Sequence, residues 1–277
     1  MKRTKIILFG LIALCFLAIS ATAQTSNVIK KDLSQADIDR IVKTFTSKEK
    51  EAREALASYV FYRNATIQTL GMGGQVSGLF RRDSFLSLTP EGTRFEKILF
   101  APVPTTPPGF VTVEDLEDLS GVNPFALDPA AVPLYTFTYA GAEKIDDLDL
   151  YVFDVSPKIL PDAKKTKQRF FTGRIWVDQQ DLQIVKSKGK GIPETKNNKF
   201  PVVETWRENV GGKYWFPSYS SSDDELVFDS GESIRLKIRI TYKGYTLGKS
   251  DVRILDEDEP IVEEKPKPTP TPTPKKP

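Results

Sequence analysis

Histidine is missing from the 277 residues, cysteine occurs once and methionine twice. The first absence excludes histidine-based triads, imidazole proton shuttles and the commonest zinc ligand. The lone cysteine, Cys15, lies in a leader expected to be cleaved off, so the mature chain is left with neither a disulfide nor thiolate chemistry. An excess of one charge is lacking too. With the leader's Lys2, Arg3 and Lys5 set aside from the 39 Lys+Arg, the balance against 37 Asp+Glu is close to neutral, which gives no bias toward nucleic acid. Outside the leader no apolar run approaches the ~20 residues that span a bilayer. The chain must hold itself together by burial, and a hydrophobic content of 39% suffices for one substantial core.

The leader itself is well defined. Three basic residues precede the apolar run 6–19, and Ala21-Thr22-Ala23 matches the small-x-small pattern of a secretory signal, which predicts residues 1–23 as signal peptide and Gln24 as the mature start. The alternative, acylation at Cys15, needs a small residue before the cysteine, where Leu14 stands instead.

A polar lead, 24–33, comes next. Ser34 and Asp37 have capping-box spacing, and Ile38, Ile41, Val42, Phe45, Ala52, Leu56 and Tyr59 recur every three or four residues, which predicts an amphipathic helix over 36–58. From Tyr59 the period changes to two. Strands are predicted at 59–70, 75–88, 93–100, 134–140, 147–156, 169–178, 182–190, 201–210, 213–220, 225–229 and 233–246. In the last of these Ile234, Leu236, Ile238, Ile240 and Tyr242 alternate with charged and hydroxyl residues, the mark of an antiparallel sheet with one wet face. The fold class expected is mainly β (α+β), a meandering antiparallel sheet over one domain, 34–250.

Two segments break the pattern. The proline cluster "APVPTTPPGF" and the acids after Thr112 predict a loop and a short helix near 113–119 within the excursion 101–133. The end, 251–277, is an acidic block followed by Lys/Thr alternating with Pro, and reads as a disordered, polyproline-II-like tail.

Chemistry-bearing motifs are few. "GMGG" (71–74) and the glycines of "KSKGKG" (186–191) precede no helix and lack a phosphate loop's Gly-Lys-Ser/Thr, so they read as turn or strand-end glycines. Paired acids occur at Asp178/Asp181, Glu114/Glu117 and Asp223/Asp224/Glu225. All sit at turns or on an exposed helix, where Asp commonly bonds nearby backbone N–H groups, so no catalytic pair, calcium site, metal or cofactor is assigned. Arg235, Lys237, Arg239 and Lys243 share one face of a strand, where they keep a sheet soluble or meet anionic headgroups. Tyr135, Phe137 and Tyr139, with Tyr151 and Phe153 on the next strand, form an apolar, aromatic face.

In "GRIWVDQQDLQIVKSKGKG" (173–191) a turn at Gln179-Gln180 would pair 177 with 182 and 175 with 184, because cross-strand partners share a face. Ile175, Val177, Leu182 and Ile184 then form one apolar face. Trp176 falls on the other, with Arg174, Gln183 and Val185.

The order of parts, this hairpin (apolar-x-apolar-Asp, turn, apolar-x-apolar-x-Lys, 175–186), "YVFDVSP" (151–157) and "GKYWFPSY" (212–219) together resemble the LolA/LolB/RseB-like group of envelope lipoprotein carriers over most of 34–246. The resemblance implies a strongly curved half-barrel sheet wrapped around an N-terminal amphipathic helix and a short mid-chain helix. It also implies an apolar concave side that takes an acyl chain, and a location in the periplasm or envelope of a Gram-negative-type bacterium. On that reading Ile175, Val177, Leu182, Ile184, Phe137 and Phe153 bind the ligand, a lipid or lipoprotein acyl chain. The segment 101–133 acts as a lid, and Arg63 corresponds to the arginine that holds it. The tail is a departure from the carriers and suits tethering to an envelope protein or cell-wall partner. The alternative is an interaction or sensor module whose concavity is filled by its own helix.

Overall fold

The computed structural model describes residues 27–88, 94–108, 110–112, 115, 127–160, 162–163, 169–196 and 198–248. The predicted signal peptide, the tail 251–277 and nearly all of the predicted helix 113–119 lie outside them. At that helix's expected start Thr112 and Asp115 exchange bonds, each backbone N–H donating to the other's side chain at 2.9 and 3.1 Å.

Helix α1 spans Gln35–Leu56. Ser34 caps it by accepting from the Asp37 N–H at 3.1 Å, so a free donor of the first turn is satisfied. Ile41, Val42, Phe45, Glu49, Ala52 and Leu56 form its buried stripe. At 1.5 Å per residue α1 is about 33 Å long, enough to cross the body of the protein.

Ten strands follow: β1 (Tyr59–Leu70), β2 (Val76–Leu88), β3 (Arg94–Phe100), β4 (Tyr135–Ile145), β5 (Leu148–Pro157), β6 (Phe170–Asp178), β7 (Ile184–Ile192), β8 (Val203–Val210), β9 (Tyr214–Val227) and β10 (Ser233–Leu247). They form one antiparallel sheet in the order β3-β2-β1-β10-β9-β8-β7-β6-β5-β4. Each strand therefore pairs with its neighbours in sequence, and β1 pairs with β10. Only the step from β3 to β4 is open, which makes these two strands the edges of an unclosed half-barrel. The excursion 101–133, described only in part, links β3 to β4 in the sequence.

The strands predicted at 213–220 and 225–229 are one strand, β9. The polar run Ser220-Ser221-Ser222-Asp223-Asp224 reads as a break, but β10 pairs with it residue for residue. The Ser220 and Thr205 hydroxyls bond each other at 2.9 Å inside the sheet, while the buried Ser222 hydroxyl has no partner among the described residues. The polar lead is also more than a lead. Ile29 and Ala142 exchange backbone bonds of 2.8 and 2.9 Å, covering part of the β4 edge. Gly141 allows this approach, because a Cβ there would lie 2.5 Å from the Ile29 oxygen.

The β6–β7 hairpin departs from the predicted pairing. Val177 pairs with Ile184, Asp178 N–H bonds Gln183 O at 2.9 Å, and 179–182 form the turn. The cause is local: Asp178 Oδ1 accepts from the N–H groups of Gln180 (2.7 Å) and Asp181 (3.0 Å), and Leu182 takes a left-handed φ of 53°. A bulge at Val185 then shifts the register by one more residue, so that Trp176 faces Lys186 and Ile175 faces Ser187.

Candidate functional site

The residues assigned to ligand binding come together on the helix-bearing face. Phe153, Ile175, Val177 and Ile184 are at most 1% exposed, and Phe137 and Leu182 are half-buried against the same cluster. The space in front of them is occupied. Ile41, Val42 and Phe45 of α1 enter the cluster, with the Phe45 ring centroid 5.6 Å from Phe137 and 5.9 Å from Phe153.

One turn further along, α1 is pinned by charge. Arg207 of β8 donates two bonds to Glu49, at 2.7 and 3.0 Å, and both side chains are under 5% exposed. Burial pushes the Glu49 carboxyl up, against the pull of the guanidinium. Beyond the pair, Ala52 and Leu56 enter a second cluster with Phe61, Ile67, Phe216, Ile238 and Ile240. The helix thus bridges the β4–β7 half of the sheet and the β1–β10–β9 half through a buried ion pair. The signal for Glu49 was an acid at 45+4 on the apolar stripe; Arg207 had none without the register.

Arg63 lies on the inward face of β1, in the buried alternation with Phe61, Ala65 and Ile67. It bonds Glu96 of β3 at 2.7 Å, and Ser84 Oγ donates to the same carboxylate at 2.5 Å. Burial works against ionisation of Glu96, yet Ser84, Arg63 and Arg82 outweigh it and hold the carboxyl below its ordinary value. Of the segment expected to meet Arg63 as a lid, 101–133, residues 109, 113–114 and 116–126 fall outside the described residues.

The paired acids act on backbone and neighbours, and Asp223, Asp224 and Glu225, expected at a turn, lie inside β9 because that segment pairs with β10. Asp181 accepts from Gln183 N–H at 3.0 Å and Trp215 Nε1 at 2.8 Å, Asp224 from Val202 N–H at 2.8 Å, and Asp223 faces Arg235 and Lys237 at 3.4 Å. Among the described residues no three acids converge as a metal would require.

The opposite, outer face carries a groove of about 870 Å³ over β4–β8. Its residues align across the strands. One tier runs Thr138–Asp154–Arg174–Lys188–Glu204, each the direct register partner of the next. The adjoining tier is Trp176–Lys186–Trp206. Arg174 holds Asp154 through two bonds of 2.7 and 3.0 Å, and Glu204 takes Lys186 at 3.2 Å, Lys188 at 3.5 Å and the Trp206 Nε1–H at 2.9 Å. Lys186 Nζ stands 4.7 Å from the Trp176 ring centre and 4.1 Å from that of Trp206. Burial opposes ionisation of Glu204, but Lys186, Trp206 and Lys188 hold its carboxyl below the ordinary value. Trp176 packs on Leu150, Val152 and Val185 and donates to Glu143 at 2.7 Å, so it faces away from α1 as the hairpin parity requires.

No protein-family model and no curated protein matches the chain. Among solved structures it is similar to a LolA-superfamily protein from Nitrosomonas europaea, at 15% identity over 74% of this chain and 94% of that one, with a TM-score of 0.35. It is similar to a DUF1329-family protein from Desulfovibrio piger, at 14% identity, 77% and 96% coverage and a TM-score of 0.39. A third similar structure is MucB, at 9% identity, 75% and 94% coverage and a TM-score of 0.28. At such scores nothing that those proteins bind transfers to this chain, whose architecture rests on its own strand order and helix.

Proposed function

We propose that the protein is a non-catalytic binding module of the bacterial envelope whose inward face is closed by its own helix and which meets its partner on its surface. The observation that carries this reading is the occupancy of the inward face: Phe45 stands against Phe137 and Phe153, and Glu49 is locked to Arg207 behind it. Export is part of the proposal and rests on the leader, as tethering to an envelope protein or cell-wall polymer rests on the tail. No helix among the described residues is long and apolar enough to cross a membrane.

Native mass spectrometry of the purified chain, with a fluorescent fatty acid added in parallel, tests the reading. The expected result is a lipid-free mass and no uptake; a stoichiometric co-purifying lipid overturns it. A second reading places an acyl chain on Phe137, Phe153, Ile175, Val177, Leu182 and Ile184. It is favoured by the half-burial of Phe137 and Leu182, which leaves one end of that cluster accessible, and it requires α1 to yield the space.

A further inference from the structure

From the outer groove we infer a second, separate site, one that binds an extended, uncharged polysaccharide strand laid across β4–β8. Three features of the groove point to that ligand class.

The first is charge. The groove's cations and carboxylates balance: Arg174 is bonded to Asp154, Lys186 and Lys188 share Glu204, and Glu143, the third carboxylate of the lining, adds its field at Arg174. A phosphate or an acidic peptide needs a net excess of cation, and the groove has none to give. A neutral polyol needs something else, donors and acceptors held in place with valences to spare. Each carboxylate has about four acceptor positions and each ammonium three donors, so the paired groups still bond hydroxyls while their geometry is fixed in advance.

The second is the aromatic tier. Trp206 is half-buried on the outer face, with Lys186 filling the gap between it and Trp176, so the tier forms one continuous flank beside the polar groups. Sugar rings have an apolar C–H face and a polar rim, and an indole beside a row of bonding groups matches both.

The third is direction. The tiers run across the strands, and their groups recur at the inter-strand spacing of about 4.8 Å, or about 19 Å over five strands. That pattern suits a linear polymer with repeating hydroxyls. It does not suit a peptide adding as a strand, because β5–β8 are interior strands with both backbone edges already paired. Hydroxyls of Ser156 and Thr172 extend the polar lining on the far side of the charged tier. The groove faces away from α1, so the site holds whichever way the inward face is used.

Calorimetric titration of the full chain with cellohexaose and chitohexaose tests the proposal, with phosphatidylcholine/phosphatidylglycerol vesicles as the anionic-surface arm. Expected is saturable binding of at least one saccharide, roughly tenfold weaker in Trp206→Ala and in Glu204→Gln. Ser156→Trp, which fills the groove from an exposed position without removing a core contact, should abolish it even if the other variants unfold. Phe45→Ala should bind the saccharide as the native chain does, which separates this site from the inward face. Absence of binding by both saccharides, affinity unchanged in Ser156→Trp, or binding to vesicles alone overturns the proposal.

Discussion

A charged residue in a core is tolerable only with its partner, and Glu49 with Arg207 is that case. Replacing Arg207 by Met strands a buried carboxylate and should cost about 3–5 kcal/mol in urea unfolding, while Glu49→Leu/Arg207→Met together should cost far less. Glu96 behaves in the opposite sense. Its carboxyl is held below its ordinary value in the folded chain, so the unfolded chain binds the proton first. The stability it contributes is complete above the ordinary value of 4.5 and is lost as pH falls through the folded value. Ser84→Ala removes a bond to the ionised form and should flatten the fall of the urea midpoint between about pH 5 and about pH 3. Single residues of this kind were only half legible. Glu49 and Arg63 each interrupt an apolar set, in the stripe of α1 and among Phe61, Ala65 and Ile67 of β1, and so advertise themselves, whereas Arg207 looks like a residue of any wet face until the partner strands are in place.

Elements were far more legible than their partners. The strand 233–246 and the helix 36–58 follow from periodicity, since one face of each had to be buried. The β6–β7 pairing slipped because two acids in the turn bond backbone N–H groups and lengthen the loop, which alternation does not register. The groove tiers were hidden for a related reason: Asp154, Arg174, Lys188 and Glu204 are scattered over 51 positions of sequence and become a row only through three strand registers. At this scale α1 is the element to perturb. Phe45→Ala deletes the ring between Phe137 and Phe153 and should cost about 3–5 kcal/mol in thermal or urea unfolding. If the second reading of the inward face is right, the native chain should take up a fluorescent fatty acid and the same variant, with the ring that fills the space removed, should take up more.

For the whole molecule the decisive pairing is the one between β1 and β10. Tyr59 meets Leu247 and Leu70 meets Arg235, so the first strand waits for the last. Stopping the chain after Glu232 removes a strand bonded on both sides and should abolish cooperative unfolding in calorimetry. Stopping it after Gly248, whose N–H closes the sheet on Ser58 O at 2.8 Å, should leave the midpoint unchanged. The strand order also has a second beginning. Started at β4 and ended at β3, with Gly248 joined to Ser34 by a linker of about ten or more residues that spans the length of α1, the same sheet reads β4 through β10, then β1, β2 and β3, a plain meander in which every pair is a neighbour. Because non-local pairing is what slows β proteins, a circular permutant opened between β3 and β4 should fold faster than the natural chain at similar stability, as stopped-flow refolding would show. Slow closure would then be a property of where the chain is cut and not of the half-barrel, and it would leave the natural chain unfolded until its final strand is available.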